Sequence, residues 1–264
     1  MSDSPLLYSV ADRVASITLN NPEARNALPP DVGAEIVRLM HASDNDPAVK
    51  CILIKATGEN FSAGGDIKSF KETLGLSAEE RYEQFERRVL VGNRLPNSIL
   101  EVSKPVVIAT RGAVAGAGMA LCLAADYVVA AESTYFLAAH VHIGLSIDCG
   151  MSSFMVAAMG VKAAKRLALL GERVTAKEAL DLGMVTEVVA NDDLDERVER
   201  ITARLVKNPA TAMAGSKQLL NRAAYPDLAG QFAAEANSIA HCVASNDFIK
   251  GVEGMLNKKP AVFD

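Results

Sequence analysis

Residues 104–121 read KPVVIATRGAVAGAGMAL. From Pro105 to Thr110 the run is apolar and rich in β-branched residues, the pattern of a short strand buried on both faces. Arg111-Gly112 follows, and the Gly/Ala-rich stretch from Gly116 to Ala125 suits a tight turn opening into a helix. The same order stands upstream, where the apolar run Cys51-Ile52-Leu53-Ile54 precedes Phe61-Ser62-Ala63-Gly64-Gly65-Asp66-Ile67-Lys68. Tyr127 to Ala130 reads as a third such strand. Strands that alternate with helices in this way define the α/β class.

Outward from these segments, Leu6–Val10 and Val14–Leu19 predict a hairpin across Ala11-Asp12-Arg13. Residues 20–26, rich in turn formers, predict a loop. Val32, Ile36, Val37 and Met40 recur at helical spacing from Asp31, and Ser77-Ala78-Glu79-Glu80 reads as a capping box opening a charged helix toward Leu95. After Val189 the alternation stops, and residues 194–206, 210–224 and 228–244 read as successive helices.

The chain has 264 residues, 50% hydrophobic and 22% charged, enough for one large domain or a domain with a small appendage. Its net charge of −5 gives no electrostatic footprint for nucleic acid. Cys51, Cys122, Cys149 and Cys242 show no CxxC spacing, which argues against a disulfide framework and against structural zinc. The N-terminal segment lacks the pattern of an export signal, and the long uncharged run Gly112 to Ala125 is too short for a bilayer span. A soluble, reduced, cytoplasmic protein is expected.

The two glycine-rich turns carry the chemical signal. Glycine lets the backbone approach a ligand closely, and a helix N-terminus aims free N–H groups at negative charge. Two such turns side by side supply two donors to one oxygen, an oxyanion hole. The alternative is two tight connections and nothing more. Neither turn is a dinucleotide fingerprint, since Gly116-x-Gly118 lacks the third glycine, and no GK[ST] occurs for a P-loop.

The segments LNNPEARNAL (19–28), FSAGGDIK (61–68), KPVVIATRGAVAGAGMAL (104–121), AAD (124–126), IGLSIDCG (143–150), LLGERVTAKEALDLGMVTEVV (169–189) and GVEGMLNKKPAVF (251–263) together resemble the crotonase, or enoyl-CoA hydratase/isomerase, superfamily. The resemblance spans nearly the whole chain, in order. It implies a spiral of β-β-α repeats over residues 1–195, carrying the site, and a C-terminal helical region over 196–264 that assembles homotrimers or dimers of trimers. It implies an acyl-CoA thioester substrate and no cofactor beyond the CoA moiety. The oxyanion donors would be the N–H groups of Gly65 and Ala117. Arg25 and Lys68 would meet the CoA phosphates, and Ser62, Ala63, Asp66 and Ile67 would border the adenine and pantetheine.

The positions of the two hydratase glutamates hold Ala120 and His140, so syn addition of water by a glutamate pair is not expected. One carboxylate remains, Asp148, at the position that serves as base in dienoyl-CoA isomerases of this family. The nearest resemblance is to the ring-1,2-epoxyphenylacetyl-CoA isomerase group, which also lacks both glutamates. Asp148 is thus expected as the single acid/base of an isomerase, working best if burial raises its pKa toward neutrality. As a residue, it also reads as the N-cap of a helix over Cys149 to Met159. His140 and His142, two apart on an extended segment, would face one side, but an obvious third metal ligand is lacking. His140 stays open as a second acid/base or a wall residue. Competing functions are a hydratase, a C–C or thioester hydrolase using His140 with Asp148, and a non-catalytic acyl-CoA binder.

Overall fold

The computed structural model describes residues 4–263, with the side chain of Lys68 outside the description. β1 (Leu6–Ala11) and β2 (Val14–Leu19) form the expected antiparallel hairpin. Its linker is the pair Asp12-Arg13, both at positive φ (49° and 65°), which matches the twist of the strands without glycine. α1 (Pro30–Asn45) leads into β3 (Cys51–Ala56), and α2 (Ile67–Lys71) follows the first glycine-rich turn. α3 (Ala78–Gly92) starts at the capping box, with both reciprocal Ser77–Glu80 bonds present, and α4 (Arg94–Glu101) continues from it.

β4 (Val106–Thr110), β5 (Ala113–Ala115), α5 (Ala117–Ala124), β6 (Tyr127–Ala131) and β7 (Tyr135–Leu137) come next. α6 (Met151–Leu170), β8 (Arg173–Thr175), α7 (Ala176–Asp181) and β9 (Glu187–Val189) precede four helices: α8 (Leu194–Leu205), α9 (Ala210–Ala224), α10 (Leu228–Ala244) and α11 (Asn246–Leu256). The larger sheet runs β1-β2-β3-β4-β6-β9, and beyond the first hairpin every pairing in it is parallel. A smaller sheet, β5-β7-β8, was hidden in the sequence by its three-residue strands.

The continuous apolar runs are explained by cover on both faces. Ile52, Ile54, Val106, Ile108, Val128 and Ala130 point into the main core. The alternate residues Cys51, Leu53, Val107, Ala109 and Val129 pack on Leu194, Val198 and Ile201 of α8. The boundary expected after residue 195 therefore falls inside a helix that covers the sheet. α9 is tied down by Lys217, whose Nζ lies 2.7 Å from Asp126 Oδ2, an oxygen that also accepts from Val106 N–H. α10 packs along α3, and Arg81 donates across that seam to Val243 O at 2.7 Å. All four cysteines are free, and among the described residues no helix is long and apolar enough to cross a membrane.

Candidate active site

The two glycine-rich turns lie side by side because their backbones pair. Ser62 N–H donates to Ala113 O (3.0 Å) and Ala115 N–H to Ser62 O (2.9 Å), a parallel bridge centred on Ser62 and Val114. A Cβ on Gly64 would stand 2.7 Å from Ala115 O, and one on Gly118 would stand 2.8 Å from Ser62 Cβ. Gly116, at φ 49° and ψ −124°, occupies backbone space closed to other residues.

The N–H of Gly65 is thereby brought next to Gly116, and Gly65, Gly116 and Ala117 line one cavity. Ala117 is the first residue of α5, so its N–H has no acceptor within the helix and sits at the positive end of the dipole. Among the described residues, no hydrogen bond outside the helices takes up either N–H. The oxyanion-hole reading of the two turns thus has donors to support it.

The cavity encloses about 290 Å³ and is mostly apolar. Leu28, Pro29 and Val37 line one side, and Phe85, Val89 and Ile239, from α3 and α10, line another. Asp148 is the one carboxylate among the described lining residues, and His140 is beside it, with His140 Nε2 3.2 Å from Asp148 Oδ1. The side chains are 22% and 9% exposed, respectively, so Asp148 is the more open of the two.

Burial pushes the Asp148 carboxyl up, but the His140 hydrogen bond and charge, the Cys149 hydrogen bond and the Arg88 charge outweigh it. The net result is a pKa below the ordinary 3.8, not the rise toward neutrality under which Asp148 would work best as a base. Asp148 is also not a helix cap. α6 starts two residues later than expected, from Gly150 at φ 78°, with Cys149 likewise left-handed at φ 58°. The cap comes from α10: Glu235 Oε2 accepts from Gly150 N–H (2.7 Å) and Oε1 from Ser152 N–H (2.9 Å). Asp148 is left free of the capping role and turned to the cavity.

The two histidines diverge, because the segment is a 3-10 turn (Ala139–Ile143) and not extended. With three residues per turn, positions i and i+2 no longer share a face. His142 Nε2 bonds Gly171 O at 2.9 Å, and among the described residues no cluster of metal-ligating side chains occurs.

Other expected residues are scattered. Ala63 and Ile67 line the cavity, whereas Asp66 is not among its lining residues. Ser62 is fully buried and does not border it; its hydroxyl donates to Asn26 O and accepts from Gly64 N–H, fixing the turn. Arg25 is exposed at φ 50°, and its carbonyl accepts from Ala63 N–H. Of Lys68 only the backbone, within α2, is described.

Two residues escaped the sequence reading. Glu235 acts across 85 residues, and no local pattern announces it. Arg88 lines the cavity, and the sequence did hold a signal for it: Arg81, Phe85, Arg88 and Val89 follow at helical spacing, placing Arg88 on the buried face of a charged helix.

Residues 10–264 match the family described as Enoyl-CoA hydratase/isomerase. The trans-2-decenoyl-(acyl-carrier-protein) isomerase of Streptococcus mutans serotype c is 29% identical, over 100% of this chain and 99% of its own. The 1,2-epoxyphenylacetyl-CoA isomerase of Escherichia coli K12 is 30% identical, over 98% of this chain and 97% of its own. The crystal structure of an enoyl-CoA hydratase from Mycobacterium avium subsp. paratuberculosis K-10 aligns over 99% of both chains, with a TM-score of 0.88 and 32% identity. The architecture is thus the α/β crotonase fold with a C-terminal helical region.

Proposed function

The chain belongs to the enoyl-CoA hydratase/isomerase family, and from that premise we propose that it is an isomerase of enoyl-CoA thioesters with Asp148 as its single acid/base. The observation that carries this reading is that, among the described residues, Asp148 is the one carboxylate lining the cavity that Gly65 and Ala117 frame. Ala120, at one hydratase glutamate position, is fully buried in the core.

The thioester carbonyl oxygen accepts from the Gly65 and Ala117 N–H groups. Asp148 takes a γ-proton, the dienolate charge rests on that oxygen, and Asp148, whose acquired proton exchanges with solvent, delivers a proton to the α-carbon. Nothing is added or lost overall, so one carboxylate suffices. The lowered pKa keeps Asp148 ionised as proton acceptor but weakens it as a base, and the two N–H donors offset this by stabilising the enolate it forms. His140 orients it. With Nε2 engaged by Asp148 and Nδ1 buried, His140 presents no free nitrogen to a water. This disfavours the hydrolase and hydratase alternatives.

Ala63 and Ile67 flank the pantetheine, Arg25 and Lys68 supply charge for the CoA phosphates, and no further cofactor is needed. Leu169, Leu170, Leu219 and Leu220, each at least 58% exposed, support assembly as trimers or dimers of trimers.

The test is product analysis with a 3-enoyl-CoA and a 2-enoyl-CoA of equal length. The expected result is interconversion of the two, with hydration slower by at least about tenfold, or 1.4 kcal/mol of barrier. Dominant 3-hydroxyacyl-CoA would assign a hydratase, and free acid a hydrolase. Saturable CoA binding without turnover would assign a silent binder.

A further inference from the structure

The proton shuttle needs no cation, yet one stands in the cavity wall. Arg88 leaves α3 between Phe85 and Val89 and lines the same space as Asp148. Its guanidinium carbon lies 4.8 Å from the Phe70 ring centroid and 5.7 Å from that of Phe85, and Nη2 donates to Ser69 Oγ at 2.9 Å. These contacts fix the fork in place while engaging one of its five N–H donors. Arginine ion pairs among the described residues involve Arg38, Arg87, Arg111, Arg166, Arg197 and Arg200, but not Arg88. Asp148, Asp66 and Glu72 act on it only through longer-range charge.

A half-buried cation without a bonded anion is costly to keep, and its surroundings are apolar. Phe70, Phe85 and Phe248 form a ring cluster behind it, with centroids 5.3 Å apart for both Phe70–Phe85 and Phe85–Phe248. Such a wall suits an acyl chain. A planar guanidinium held on aromatic faces, with free donors, matches a carboxylate in bidentate geometry.

Resting on the reading that this cavity holds the acyl group, we propose that Arg88 receives a carboxylate at the distal end of that group. The preferred substrates are then monothioesters of unsaturated dicarboxylic acids. Arg94, the second arginine lining the cavity, stands exposed at the start of α4 and adds positive potential along the same wall.

The experiment compares pairs of enoyl-CoAs of equal length, one ending in methyl and one in carboxylate, across several lengths. Calorimetry reads binding, and turnover is followed separately. At one length or more the wild-type protein is expected to bind the carboxylate member more tightly. Arg88→Met, which keeps the stem over the rings, should cut that preference about 30-fold, and Arg88→Lys should restore part of it.

No preference at any length would overturn the proposal. So would an equal loss for both members, which would assign Arg88 to Asp148 or to the CoA phosphates. A panel that binds with the preference but is never isomerised would instead count against the isomerase reading alone.

Discussion

Asp148→Asn is expected to lower turnover about 10³-fold while leaving acyl-CoA affinity within about threefold, the signature of a lost proton-transfer group. The amide has the size of the carboxyl and keeps an oxygen facing His140 Nε2, so the loop from Asp148 to Gly150 retains its Glu235 anchor. What disappears is the capacity to hold a proton. Because the folded-state pKa is depressed, the carboxylate form persists as pH falls past 3.8, so kcat/KM should show no acid limb from Asp148 in the range of an ordinary carboxylate. For the same reason, its contribution to stability is present above its unfolded value and is lost only as pH falls through the lower folded value. Turnover unchanged in Asp148→Asn would remove Asp148 from the chemistry.

The second large effect concerns the main chain. Ala117→Pro deletes one of the two oxyanion donors at a place where the fold tolerates it. Proline is favoured at the first position of a helix, where its missing N–H has no intrahelical acceptor, and the preceding residue is already a non-helical glycine. The expected loss is about 10²–10³-fold in kcat, roughly 3–4 kcal/mol of barrier, with the melting temperature shifted by only a few degrees. Wild-type kcat in a folded Ala117→Pro protein would show that the thioester oxygen is held elsewhere.

The fold was legible where local chemistry and tertiary demand agree. PVVIAT reads as a strand covered on both faces, and α8 turns out to be the cover for its outer side. The capping box at Ser77 marks α3 with both of its bonds. The glycines were legible as a pair of turns, and Gly64 and Gly118 pack where a Cβ would collide.

The sequence was silent or misleading where a distant residue takes over a local role. Asp148 looks like a cap because the sequence nearby offers no better one, but Glu235 reaches in from α10 and performs that function. His140 and His142 look like neighbours on a strand, and the tight turn sends one toward Asp148 and the other toward Gly171. Arg88 lies in a run of charges where solvent exposure is the ordinary expectation; its helical spacing from Arg81, Phe85 and Val89 marks the inward face, and the packing of α3 against α10 and the ring cluster supply what it faces.

Wash-in of solvent deuterium bears most directly on the claim that two amides hold an enolate beside one carboxylate. A saturated acyl-CoA, which cannot be isomerised or hydrated, is incubated with the protein in heavy water and its α-carbon followed by mass. The account predicts incorporation by the wild-type protein, reduced at least about 10²-fold in both Asp148→Asn and Ala117→Pro. Incorporation that survives in either variant, or none at all in a wild-type protein that binds the thioester, would contradict it.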